Sequence, residues 1–120
     1  MAVILYGIRN CDSVKKAQNW LKQNNITFEL VDFKQNSPEK ALIAQWVEQV
    51  GWEKLLNKQS KTFRELAPEH KEINNAEQAE VLMHQYPLLI KRPVLISGTH
   101  IMVGFSESAY NTLKNYQVNE

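Results

Sequence analysis

Val3-Ile4-Leu5-Tyr6-Gly7-Ile8-Arg9-Asn10-Cys11-Asp12-Ser13-Val14 decides how this chain is read. Ala2 to Tyr6 is an apolar run with β-branched members, the pattern of a strand buried on both faces. Gly7-Ile8-Arg9-Asn10 is a turn, and Val14, Ala17 and Leu21 follow at helical spacing. Cys11, the only cysteine, therefore stands where a strand hands over to a helix start. The first-turn amides of a helix lack partners within it, and the helix dipole adds partial positive charge there. Both favour thiolate over thiol, and the thiolate is the nucleophile. Arg9 and Lys15 add positive charge in sequence, whereas the Asp12 carboxylate opposes a thiolate beside it. The plain alternative for a lone cysteine is a small buried core residue.

Outward from this stretch, Phe28 and Leu30 alternate with Thr27, Glu29 and Val31, which predicts a second strand ending near Phe33. The chain thus opens strand–helix–strand, normally a parallel crossover. Ser37-Pro38-Glu39 has the form of a helix start: a cap, a proline at the first position and an acid in the first turn. Ile43, Trp46, Val47 and Val50 make one apolar helical face, and Gly51 ends it. Trp52–Leu56 and Thr62–Leu66 suit short helical turns. Asn75-Ala76-Glu77-Gln78 resembles a capping box opening a helix that Pro87 closes. Pro93–Ser97 and Ile101–Val103 flank Gly98-Thr99-His100 as a β-hairpin, and Ser106-Glu107 caps a last helix.

The length of 120 residues suits a single domain, and 43% hydrophobic with 22% charged residues is ordinary for a globular protein. A net charge of +1 gives no footprint for nucleic acid. The N-terminus is too short and too quickly polar for a signal peptide, and no apolar stretch is long enough to span a membrane. With one cysteine there is no internal disulfide, which fits a reducing, cytoplasmic setting. His70, His84 and His100 have no ligand spacing, so no metal site is expected.

The order βαβ, helices, ββα is the α/β thioredoxin-like arrangement, one domain over 1–120 with a helical insert at about 37–86 between the halves. The stretches Leu5–Ala17, Gly51-Trp52-Glu53-Lys54-Leu55-Leu56-Asn57, Ile90-Lys91-Arg92-Pro93-Val94-Leu95 and Gly104-Phe105-Ser106 resemble the arsenate reductase-related (ArsC/Spx/YffB) family, specifically its YffB-like branch. The resemblance implies a thiol reductase whose nucleophile is Cys11. It places Arg92 against the substrate near the thiol, where its fork of donors suits a carboxylate or oxyanion. It further implies a cis Arg92–Pro93 bond, Pro93 shaping the groove. Asn10, Ser13 and Lys15 would then help hold glutathione, although helix capping alone also explains Asn10 and Ser13. Gly104 either allows close backbone approach or simply bends the chain.

The chain departs from the family pattern in ways that matter. Position 14 is Val14, so there is no C-x-x-C pair, and an oxidised Cys11 needs an external thiol. Glutathione is the expected co-substrate, with no bound cofactor, and glutaredoxin or another thiol protein is a possible partner of a monomer. Gly7 stands where arsenate reductases of the family carry a histidine, and Glu53 and Gly104 stand where two of their three arginines fall. Two alternatives therefore accompany the thiol reductase: an arsenate reductase proper, and a non-enzymatic, Spx-like protein that docks to transcription machinery.

Overall fold

The computed structural model describes residues 3–114, which form two compact units. The first comprises residues up to Gln35 together with those from Arg92 onward, and the second runs from Asn36 to Lys91. The elements in chain order are β1 (Val3–Gly7), α1 (Asp12–Gln23), β2 (Phe28–Asp32), α2 (Lys40–Val50), α3 (Trp52–Leu55), α4 (Lys61–Arg64), α5 (Ala76–Gln85), β3 (Val94–Ser97), β4 (His100–Val103) and α6 (Glu107–Tyr110). Short 3-10 turns occupy Pro68–Lys71 and Pro87–Leu89. The expected α/β, thioredoxin-like order of βαβ and ββα is present.

In the first unit the strands lie in the order β2-β1-β3-β4. β1 runs parallel to β2, from Val3 opposite Phe28 to Gly7 opposite Asp32. It runs antiparallel to β3, with Leu5 opposite Leu95 and Tyr6 opposite Val94. Val3, Leu5 and Gly7 are buried, whereas Ile4 and Tyr6 are only half-buried. The strand is thus sealed on one face rather than both, because only that face meets α1 and the C-terminal helix. Val3, Leu5, Val14, Ala17, Trp20, Leu21, Leu95, Tyr110 and Leu113 form the core there. Tyr110 sits edge-on to Trp20 (5.5 Å) and to Phe105 (4.8 Å), a favoured aromatic geometry. The hairpin turn is shorter than expected: Ser97 pairs with His100, leaving Gly98 and Thr99 as a two-residue loop. Gly98 at φ 60° supplies the positive φ that a type II′ turn needs at its first central position.

In the second unit α2 packs against α5 and α3, burying Ile43, Trp46, Val47, Leu55, Ala79, Leu82 and Met83. Gly51 takes φ 89° between α2 and α3. The helix start differs from the Ser37-Pro38-Glu39 expectation: the cap position is Glu39, and no side chain caps it. Pro38 is buried and its carbonyl faces His84 Nδ1 at 3.2 Å, which holds the segment extended ahead of Lys40. The capping box is displaced as well. Asn75 Oδ1 accepts from the Gln78 amide at 2.9 Å, but Gln78 Oε1 accepts from the amide of Asn74, not Asn75. Among the described residues no helix is long and apolar enough to cross a membrane.

Candidate functional site

The Cys11 turn is built at the C-terminal end of β1. The Cys11 amide donates to the Ile8 carbonyl at 3.3 Å, closing a turn over Ile8-Arg9-Asn10-Cys11, and the Cys11 carbonyl accepts from the Lys15 amide at 3.0 Å. Cys11 is the cap residue of α1, extended at φ −105° and ψ 127°, and its side chain makes no capping hydrogen bond. The thiol is half-buried and touches the edge of the core. It thus lies at the mouth of the helix where the unpaired first-turn amides point, with Asp12 as the acid of that turn.

The opposite wall follows from the β1–β3 register. Since Tyr6 is the partner of Val94, Pro93 and Arg92 continue at the same sheet end as the turn that leads to Cys11. The Arg92–Pro93 peptide bond is cis. Pro93 is buried and Arg92 half-buried. The Pro93 carbonyl accepts from the Gly104 amide at 2.8 Å, and Gly104 sits at φ 78° with open space where a Cβ would project. Among the described residues nothing crowds that position, so Gly104 bends the chain at a positive φ rather than allowing a close backbone approach. Asn10 and Lys15 are exposed and Ser13 half-buried, all on or beside the first turn of α1. The six residues singled out in the sequence hence share one end of the first unit. Glu53 lies exposed on α3 of the second unit. Tyr6, two strand positions before the turn's first residue, has its hydroxyl pushed above its ordinary value by burial and then by the Glu29 carboxylate, so it is neutral at neutral pH.

Two features of this end carry no clear signal in the sequence. Asp32 is 6% exposed and accepts from the Lys34 amide at 2.8 Å and from the Arg9 amide at 3.3 Å. An Asp two residues before its amide partner is an ordinary turn signal, but the reach to Arg9 spans 23 positions and is invisible in one sequence. The other is a steric pairing: a Cβ at Gly7 would stand 2.6 Å from Val14 Cγ2. Val14 fills the space that a side chain at position 7 would need.

This geometry can present a half-buried thiol at the sheet end where Arg92 leads into β3. Among the described residues no cluster of His, Cys, Asp or Glu is placed to hold a metal ion. Comparison with known proteins agrees with the architecture. A family model described as the ArsC family matches residues 6–113. An uncharacterized protein of Haemophilus influenzae is 36% identical over 108 residues, covering 90% of this chain and 95% of the relative. The global transcriptional regulator Spx 2 of Bacillus anthracis is 28% identical over 108 residues, covering 88% of this chain and 81% of the regulator. The solved structure of the YFFB protein superposes with a TM-score of 0.89 at 35% identity, covering 92% of this chain and 96% of that one.

Proposed function

Because this chain belongs to the ArsC family, matched from residue 6 to residue 113, we propose that it is a monothiol reductase that uses glutathione as co-substrate. The observation that carries this is the position of Cys11: a half-buried cap residue of α1, not spent on capping, at the same sheet end as Arg92 and Pro93. The Cys11 thiolate attacks a sulfur of a disulfide substrate; a Cys11–sulfur bond forms, the substrate's sulfur–sulfur bond breaks, and the second sulfur leaves as a thiolate. The helix mouth stabilises the attacking charge. Arg92 pairs with the carboxylates that glutathione brings, while Asn10, Ser13 and Lys15 contact the rest of it and Pro93 shapes the groove. With Val14 in place of a second thiol, the mixed disulfide is resolved by a glutathione thiolate or a glutaredoxin-like protein. The protein works as a cytoplasmic monomer.

The test is intact mass after exposure to oxidised glutathione, for the wild type and Cys11→Ser. One glutathione adduct on the wild type alone is expected; an unmodified wild type overturns the proposal. A second reading, a regulator that acts by docking, is favoured by the Spx relative. It predicts that Cys11→Ser retains function in cells. Arsenate reduction is disfavoured, since position 7 has no room for a histidine and Arg92 stands without the other two arginines.

A further inference from the structure

We propose that Asp32 is a positioning residue for the thiol: its carboxylate holds the Cys11 turn against the sheet. This rests on the thiol reductase reading above. Asp32 ends β2 opposite Gly7, the last residue of β1, and its side chain is 7% exposed. A carboxylate this buried is costly unless its oxygens are satisfied. Both are. Oδ1 accepts from the Lys34 amide at 2.8 Å, which is enough to close the end of β2. Oδ2 does something else. It accepts from the Arg9 amide at 3.3 Å and faces Arg9 Nε at 3.5 Å.

Arg9 is the second residue of the turn that Cys11 closes through its own bond to Ile8. The amide at that position points out of a β-turn, so the turn cannot satisfy it internally. Asp32 supplies the acceptor from a different strand. On the other side of the same junction the Gly7 carbonyl accepts from the Phe33 amide at 2.7 Å. The two bonds clamp both edges of the path from β1 to Cys11 onto the end of β2. The Arg9 side chain is 62% exposed, so its ion pair contributes little, and the backbone bond carries the positioning. The aim of the thiol is set one step away, through the turn.

The test compares wild type, Asp32→Ala and Asp32→Asn at a temperature where circular dichroism shows each folded. Two readouts are taken: amide hydrogen exchange, and the rate at which oxidised glutathione modifies Cys11. In Asp32→Ala the amides of Arg9 and Cys11 should lose protection by about tenfold, the equivalent of one hydrogen bond, while Leu5 and Leu95 in the sheet centre keep theirs. The modification rate should fall by about threefold or more. Asp32→Asn preserves size and one acceptor oxygen, so it folds even if Asp32→Ala does not. It can serve Lys34 or Arg9 but not both, and should give a smaller change of the same sign. Unchanged exchange at Arg9 and an unchanged rate overturn the inference. So does uniform loss of protection across the sheet, which is what a merely structural carboxylate gives. A wild type that glutathione does not modify sinks the thiol reductase reading instead; the exchange result at Arg9 still decides whether Asp32 holds the turn.

Discussion

Gly7→Ala tests the packing behind the active-site departures. The added methyl would stand 2.6 Å from Val14 Cγ2, where ordinary contact begins near 3.4 Å, so about 0.8 Å must be found. Neither side can yield it cheaply. Val14 is fully buried, and a helical valine keeps one strongly preferred rotamer. Gly7 is fixed by its pairing with Asp32 and by the 2.7 Å bond from the Phe33 amide to its carbonyl. Overpacking of this kind costs about 1–3 kcal/mol. Because Gly7 is not at positive φ, alanine also reduces the freedom of the unfolded chain, offsetting about 0.4–1 kcal/mol. The net expectation is a loss between about 0 and 2.6 kcal/mol, centred a little above 1 kcal/mol. Val14→Ala alone should cost about 2 kcal/mol through lost burial and the cavity it leaves. In the double variant the new methyl occupies the vacated space, so the two losses should fall short of their sum by about 1 kcal/mol or more. Urea unfolding followed by tryptophan fluorescence reads all three variants. Additivity within about 0.5 kcal/mol would refute the claim that Val14 closes position 7.

Other outcomes follow from single observations. Tyr110 is fully buried and, among the described residues, its hydroxyl has no hydrogen-bond partner, so Tyr110→Phe should be neutral or stabilising by up to about 1 kcal/mol in denaturant unfolding. Burial also raises the Tyr110 hydroxyl above its ordinary value. The folded state thus keeps a proton that the unfolded state sheds near pH 10, so wild-type stability should fall as pH rises beyond that point, and less steeply in Tyr110→Phe. Ser106 Oγ accepts from the Ala109 amide at 3.1 Å, and Ser106→Ala should cost about 1 kcal/mol in thermal unfolding. Arg92→Ala should slow modification of Cys11 by oxidised glutathione, with Arg92→Lys intermediate, because lysine keeps the charge without the planar fork; equal rates would remove Arg92 from the site.

The first unit was legible because its signals are local. The run from Val3 to Tyr6, the turn before Cys11 and the spacing of Val14, Ala17 and Leu21 each depend on neighbours in sequence. Even there the sealed face of β1 had to be seen in three dimensions: Ile4 and Tyr6 look as apolar as Leu5, and only the position of the helices separates them. Ser37-Pro38-Glu39 misled because cap-forming residues can equally end an extended segment, and the contact that holds Pro38 comes from His84, 46 positions away. For the candidate site, motif and order were enough to bring Cys11, Arg92 and Pro93 to one sheet end. Asp32 was not, since its second partner lies across the β1–β2 junction. The link between Gly7 and Val14 was hidden too, because a glycine shows no sign of what fills the space beside it.

The rate constant for Cys11 with oxidised glutathione at neutral pH, set against that of free cysteine in the same buffer, bears most directly on the proposed chemistry. If the proposed chemistry holds, a thiol at the mouth of α1, at the same sheet end as Arg92, should react faster than the free amino acid, and the excess should shrink in Arg92→Ala. A rate equal to or below that of free cysteine would contradict it, leaving Cys11 as packing at the edge of the core.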